Sequence, residues 1–133
     1  MEQPEREQTQ DVTGHDLILS SRVVGTRVYN REGDDLGHID DLSIQKVGGK
    51  TIYAIMSFGG FLGIGERFHP VPWSLLDYDI ERGGFVVPLN KSALDDAPHY
   101  DAAEIAELGG PKHLAYGESI YGYYGTYGAV PYW

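Results

Sequence analysis

The residues with the clearest capacity for chemistry lie close together at His38, Asp40 and Asp41. A carboxylate beside an imidazole can orient it as a base. Alternation along a strand would place His38 and Asp40 on the solvent side just as readily. The sequence shows no nucleophile with a base and an orienting group at a readable spacing, so we expect that the protein is not an enzyme.

The histidines and carboxylates do not predict a metal site. No two of the five histidines share the i, i+2 or i, i+4 spacing that would place them on one face as ligands; they are His15, His38, His69, His99 and His113. A cluster of carboxylates could ligate Ca²⁺, but it lacks the 12-residue loop with a terminal Glu; its members are Asp34, Asp35, Asp40 and Asp41. We expect a solvated hairpin with no metal and no cofactor. In the alternative hypothesis His38, Asp40 and Asp41 bind a small ligand or a metal.

A second unusual pattern is the alternation of large apolar residues with glycine between positions 58 and 65. Connecting loops usually carry polar residues, whereas this one contains Phe61, Leu62 and Ile64. It has no Gly-Lys-Ser or Gly-Lys-Thr ending, so it is not a nucleotide-binding motif. These side chains either fold back as a plug or form an exposed patch that another subunit covers.

The C-terminal residues 113–133 are rich in tyrosine and glycine. Tyr and Trp supply contact area at a low entropy cost, so we predict partner contacts at Tyr121, Tyr123, Tyr124, Tyr127 and Trp133. Glycine at this density disfavours a helix. We therefore expect this tail to be either extended on a partner surface or disordered.

The elements that would position these residues follow from the turn signals. Six short strands are predicted at about 26–29, 35–45, 51–58, 67–71, 75–79 and 84–88. Gly33 suits a hairpin turn, and Gly37 suits a bulge or sharp bend. Strand three shows little polar alternation, as expected where both faces are covered. Two short helices follow, one capped by Asn90 or Ser92 and one over 101–108.

Two further apolar features belong to this arrangement. The segment 17–19 is Leu-Ile-Leu, and Ser20 and Ser21 offer capping hydroxyls, so we predict a short lid over one mouth of a barrel. Trp73 is either a core anchor against Leu75 and Phe85 or an exposed interface residue. The core position is favoured, because a small barrel needs a large residue to fill it.

Length and composition limit the class of protein. A chain of 133 residues is one domain with extensions. With 20 acidic and 10 basic residues the net charge is -10, which would repel nucleic acid and anionic membrane surfaces and suits either solubility or a basic partner patch. There is no cysteine, so disulfides and thiol catalysis are excluded. Neither a signal peptide nor a membrane-spanning run is evident, so we expect a cytoplasmic protein without membrane insertion.

Together these features predict an all-β fold, a small six-stranded β-barrel with a short helical C-terminal segment. We divide the chain into a disordered leader (1–15), the barrel (16–94), a short helical segment (95–112) and the tail (113–133). A barrel of roughly 75 residues has only marginal stability, because a small domain buries a small share of its unfolded surface. We therefore expect a homodimer, formed through the loop with Phe61, Leu62 and Ile64 or through strand three.

Residues 16–94 resemble stand-alone bacterial PRC-barrel proteins. The matching positions are mostly glycines and core residues: Gly25, Val28, Gly33, Gly37, Ile39, Asp41, Phe58, Gly59, Gly60, Gly63, Gly65, Val71, Pro72 and Trp73. The family includes the cytoplasmic part of the photosynthetic reaction centre H subunit and the C-terminal half of a ribosome maturation factor. The resemblance implies a compact six-stranded barrel that docks to another, unknown protein as an adaptor or scaffold. It suggests a role in photosynthetic electron transport by analogy only.

Overall fold

The computed structural model describes residues 16–57 and 67–133. Within them, the strands are β1 (Arg27–Asn30), β2 (Asp35–Ile44), β3 (Thr51–Ser57), β4 (His69–Pro72), β5 (Asp77–Asp79) and β6 (Gly84–Val87). The α-helices are α1 (Ser20–Val23), α2 (Lys91–Asp96), α3 (Ala102–Ala106) and α4 (His113–Tyr124). Short 3-10 turns occupy Trp73–Leu75 and Gly125–Tyr127.

The six strands form one mixed sheet in the order β4-β3-β2-β1-β6-β5. The neighbours are antiparallel except β1 and β6, which are parallel. The predicted closed barrel is wrong in this respect, because β4 and β5 lie at the two ends of the order and do not pair with each other. Phe68, just before β4, instead exchanges two backbone hydrogen bonds of 2.9 Å with Tyr100 of the C-terminal segment. The all-β class is also too narrow, because helices occupy much of the chain after β6.

The pairing of strand β2 with its neighbours is irregular at three points, the third of which lies between Ser43 and Ile44 in the pairing with β3. Val28 pairs with Gly37 and Tyr29 with Asp35, so the register shifts by one residue here, and Gly37 has a φ of 142° that glycine adopts readily. The predicted bulge or bend at Gly37 is therefore confirmed. A second shift separates Ile39 from Asp41 in the pairing with β3. This shift places Asp40 at an irregular point of the strand.

Strand β3 is buried from Ile52 to Met56 and is paired on both sides, with β2 and β4. The prediction that both of its faces are covered is confirmed. Part of the cover comes from the C-terminal residues, since the Tyr53 ring lies 5.9 Å from the Tyr121 ring and 6.2 Å from the Tyr132 ring. The burial of β3 within one chain disfavours self-association through this strand, and the homodimer stays a prediction.

The tail forms helix α4, so the prediction of an extended or disordered tail is wrong. Its buried residues are Gly117, Ile120, Tyr121 and Tyr124, which follow the i, i+3, i+4, i+7 spacing of a helix with one face in the core. Burial of this face outweighs the poor helix propensity of glycine. Among residues 16–57 and 67–133, no helix is both long and apolar enough to span a membrane.

The caps of the short helices follow local chemistry. The Asn90 side chain accepts a hydrogen bond from the Ala93 backbone N–H at 2.8 Å, and Asp101 and Glu104 form a reciprocal capping box at α3. Both predicted helices are thereby confirmed. Helix α1 differs, because Leu19 occupies its N-cap position and makes no side-chain cap. The expected serine cap is therefore wrong.

The position of Trp73 matches the favoured interpretation. Its ring is half-buried and lies edge-on to the Phe85 ring at 5.5 Å, where it packs against the core. Edge-to-face contacts of this kind add to the free energy gained by burial. Trp73 therefore fixes the turn after β4 against β6.

Candidate functional site

His38 and Asp40, the residues of β2 that could take part in chemistry, lie beside Ser57 at the end of β3. His38 is paired with Ser57 across the two strands. The His38 Nε2 atom lies 3.0 Å from Asp40 Oδ1 and 3.4 Å from Ser57 Oγ. A hydrolytic relay uses the two different ring nitrogens, one for the nucleophile and one for the carboxylate. Here both contacts are made by one nitrogen, so the geometry does not build a relay.

The three candidate ligand residues do not converge. His38 and Asp40 are in contact, whereas Asp41 is exposed and its Oδ1 accepts a hydrogen bond from the Leu42 backbone N–H at 2.9 Å. The second oxygen of Asp40, Oδ2, is buried without a hydrogen-bond partner among the described residues. No group of three or more His, Asp or Glu side chains in the described ranges could hold a metal ion. The ligand hypothesis at these residues stays a prediction.

The other acidic residues of this region are engaged within the hairpin. Arg27 donates two hydrogen bonds to Asp35, at 2.7 and 3.1 Å, and this contact lowers the pKa of the Asp35 carboxyl. Asp34 accepts from the side chain of Asn30 at 3.0 Å, and its backbone N–H donates back to Asn30 at 2.8 Å. These contacts stabilise the turn between β1 and β2 and are those of a structural hairpin.

Most of the tail aromatic residues that are predicted to bind a partner pack against their own chain. Tyr121 and Tyr124 are 7% and 0% exposed. The Tyr123 hydroxyl donates to the Ala93 carbonyl at 2.6 Å, and Tyr127 is half-buried. Burial raises the pKa of Tyr121 to about 12 and raises that of Tyr124 as well.

Partner binding by the tail stays a prediction. Of the five aromatic residues predicted to make these contacts, Trp133 is the one that exposes about half of its surface, at 53%. The other predicted partner residues, Phe61, Leu62 and Ile64, lie outside the described residues. The choice between a plug and an exposed patch at that loop therefore stays open.

An apolar segment at the start of the described chain is more accessible than the sequence suggested. Leu17, Ile18 and Leu19 are 85%, 41% and 70% exposed. The buried residue of this region is Val23, at 3%, so the segment is attached through α1. The predicted lid is wrong, because residues 17–19 face solvent. Three consecutive exposed large apolar residues are unusual unless they serve binding.

A cavity of about 490 Å³ lies between the turn that joins β2 to β3 and the start of α4. Its lining comes from distant parts of the chain: Ser43, Ile44, Gln45, Lys46, Val47, Ile52, Tyr53, Leu108, Gly109, His113 and Tyr132. No local pattern in the sequence predicts this site, because its walls meet only after the C-terminal segment folds onto the sheet. The tyrosine-rich composition of the tail was the one available signal.

A protein-family model matches the part of the chain that contains the sheet. The PRC-barrel domain model matches residues 15–94, which include α1, all six strands of the described chain and the start of α2. No curated protein sequence matches the chain at a significant level. The family match confirms the resemblance that the glycines and core residues indicated.

Proposed function

The chain belongs to the PRC-barrel family, and on this premise we propose that it is a non-enzymatic adaptor or scaffold that docks to another protein. The family in general suggests a small protein-interaction module. The observation that carries the proposal is a group of four exposed apolar side chains on either side of α1, Leu17, Ile18, Leu19 and Val24, which we call the N-terminal apolar patch. All four side chains are at least 40% exposed.

The N-terminal apolar patch rests on a fixed support. Val23 is buried directly beside it, and the Gly25 backbone N–H donates to the Ile39 carbonyl of β2 at 2.7 Å. The Ile39 N–H in turn donates to the Thr26 carbonyl at 3.0 Å. Within the patch, the Leu19 carbonyl accepts from the Arg22 and Val23 backbone N–H groups at 2.9 and 3.2 Å, so Leu19 and Val24 lose less conformational entropy on binding than residues of a free segment would. The patch therefore supports docking of an apolar partner surface.

The cytoplasmic location and the homodimer belong to the same proposal. With β3 buried, the loop that contains Phe61, Leu62 and Ile64 is the predicted surface that remains for self-association. The overall negative charge favours a partner whose surface around the contact is basic.

The proposal is tested by replacing two residues of the patch, Leu17→Ser together with Leu19→Ser. Both positions are exposed, so we expect a change in stability within about 0.5 kcal/mol per substitution. The intact chain should capture a partner from native lysate, identified by mass spectrometry, and the double variant should lose about 90% or more of it, since central apolar contacts often contribute more than 1 kcal/mol each.

The matched control is Ile80→Ser with Val130→Ser, which removes two exposed apolar side chains elsewhere (60% and 75% exposed). This control should capture the same partner as the intact chain. Equal capture by the Leu17 and Leu19 variant would show that docking does not use the patch. Capture of nothing above background by the intact chain would contradict the adaptor function itself.

A further inference from the structure

One side of the cavity beside the turn between β2 and β3 is apolar and buried, whereas Ile44 and Val47 on its other side are exposed. Ile52, Tyr53 and Leu108 are 6%, 2% and 3% exposed, and the ring of Tyr132 lies edge-on to that of Tyr53. The volume of about 490 Å³ falls within the range of about 300 to 1,000 Å³ that is typical of ligand pockets. The site is therefore large enough for a small aromatic or aliphatic molecule.

The charge of the lining is opposite to that of the whole chain. Lys46 and His113 line the cavity, and none of its lining residues is Asp or Glu, although the chain has 20 acidic and 10 basic residues. The His113 Nδ1 atom is 3.1 Å from the Gly110 carbonyl, which holds the ring and leaves Nε2 as its other polar atom. Ser43 and Gln45 add neutral polar groups. This lining favours an anionic group over a cationic one.

We propose that this cavity binds a small organic acid, with its carboxylate near Lys46 and His113 and its apolar body against Tyr53 and Leu108. Apolar walls with a few polar groups that fix orientation are the usual design of such sites. The proposal goes beyond the docking function and does not depend on it. It also places ligand binding away from His38, Asp40 and Asp41, none of which lines the cavity.

Three probes of similar shape separate the charge from the apolar body: phenylbutyrate, phenylbutanol and phenylbutylammonium. Each is titrated into the full-length chain while backbone amides are followed by NMR. We expect the acid to bind about fivefold more tightly than the alcohol, because one partly exposed charge contact contributes up to about 1 kcal/mol. The ammonium compound should bind most weakly. The shifts should centre on Ile52, Tyr53, Leu108 and Gly109.

Gly109 offers a position at which a bulky side chain can be added at the lining of the cavity. A Cβ atom added to it would meet no atom within 4 Å, so the fold tolerates the change. Gly109→Phe should weaken the binding of acid and alcohol alike by about tenfold or more, since a ring at the lining competes with the apolar body for space. Unchanged affinity in this variant, with the fold intact by circular dichroism, would overturn the proposal.

Lys46→Gln tests the charge independently, at an exposed position where folding is not at risk. It should bring the affinity for the acid to within about twofold of that for the alcohol. Lys50→Gln is the matched control, since Lys50 is exposed near the same turn but does not line the cavity; it should keep the preference for the acid. Equal binding of the three probes by the unmodified chain, or shifts centred elsewhere, would contradict the proposal.

Discussion

Among single residues, His69 is a histidine buried in the sheet, away from water. It is 2% exposed in β4, it pairs with Met56 of β3, and its ring lies 5.7 Å from that of His99. Burial lowers the pKa of His69 to about 4, and the nearby His99 and Arg67 add to the shift, against smaller opposite effects of Asp95 and the Pro98 backbone. The imidazole is therefore neutral in the folded protein near neutral pH.

The buried His69 predicts a loss of stability in acid. In the unfolded chain a histidine has a pKa of about 6.5, so between about pH 6.5 and about pH 4 the unfolded state binds a proton that the folded state does not. The free energy of unfolding then decreases as the pH is lowered, by about 2 kcal/mol between pH values of about 7.5 and about 5. Urea unfolding at several pH values measures this slope.

In the His69→Gln variant the free energy of unfolding should depend less steeply on pH, whatever the stability of the variant at neutral pH. His99→Gln removes an exposed histidine instead and should keep most of the slope. If the His69→Gln variant and the unmodified chain lose equal free energy over this pH range, protonation of His69 is not the cause.

At the scale of elements, helix α4 shows how glycine serves packing. A Cβ atom on Gly117 would lie 2.5 and 2.8 Å from two ring atoms of Trp133, whereas one on Gly122 would meet nothing within 4 Å. The Trp133 ring lies edge-on to Tyr121 at 5.5 Å. The absent side chain at Gly117 therefore makes room for the indole, while Gly122 lies on the exposed face of the helix.

Two alanine substitutions in α4 should have different effects. Gly122→Ala should raise the free energy of unfolding by about 0.5 to 1 kcal/mol, because alanine loses less entropy in a helix. Gly117→Ala gains the same propensity but displaces Trp133 into solvent, so we expect little or no net gain and a red-shifted tryptophan emission. Equal stabilisation by both changes with unchanged emission would show that the indole does not depend on Gly117.

At the scale of the whole molecule, the sheet and the C-terminal segment share one core. Buried residues of the C-terminal segment, including Leu108, Ile120 and Tyr124, belong to the same cluster as those of the strands. The contact between Tyr123 and Ala93 and the bridge between Phe68 and Tyr100 connect the two parts further. The segment after α3 therefore completes the core instead of standing apart from it.

A chain that ends at Lys112 should accordingly lose its cooperative unfolding. It would lack Ile120, Tyr121 and Tyr124, and burial of each such side chain contributes about 1.5 to 3 kcal/mol, against a total stability of about 5 to 15 kcal/mol for a typical domain. Near-ultraviolet circular dichroism and urea unfolding measure this loss. A chain that ends at Ala129 keeps these residues and should still unfold cooperatively.

Retention of the full urea midpoint by the chain that ends at Lys112 would show that the sheet folds without α4. The expected outcome also limits how the tail can be tested for partner binding. Loss of a partner on truncation could follow from unfolding alone, so substitution of an exposed residue such as Trp133 is the cleaner test.

Features that depend on near neighbours in the chain could be predicted from the sequence. The six strands, the bend at Gly37 and the two helices capped by Asn90 and Asp101 lie close to their predicted positions, because turn and cap chemistry acts within a few residues. The pattern of glycines and core residues also indicated the family correctly.

Three features depend on contacts between distant residues and could not be predicted in this way: the open ends of the sheet, the helical C-terminal segment and the cavity. The glycine-rich local sequence disfavours a helix at α4. The helix is nevertheless stabilised by contacts with the sheet, such as that between Tyr121 and Tyr53, which are 68 positions apart in the chain. The open sheet, the burial of the tail tyrosines and the cavity all rest on pairs of this kind. Their free energy comes from surfaces that meet after folding, which local propensity does not contain.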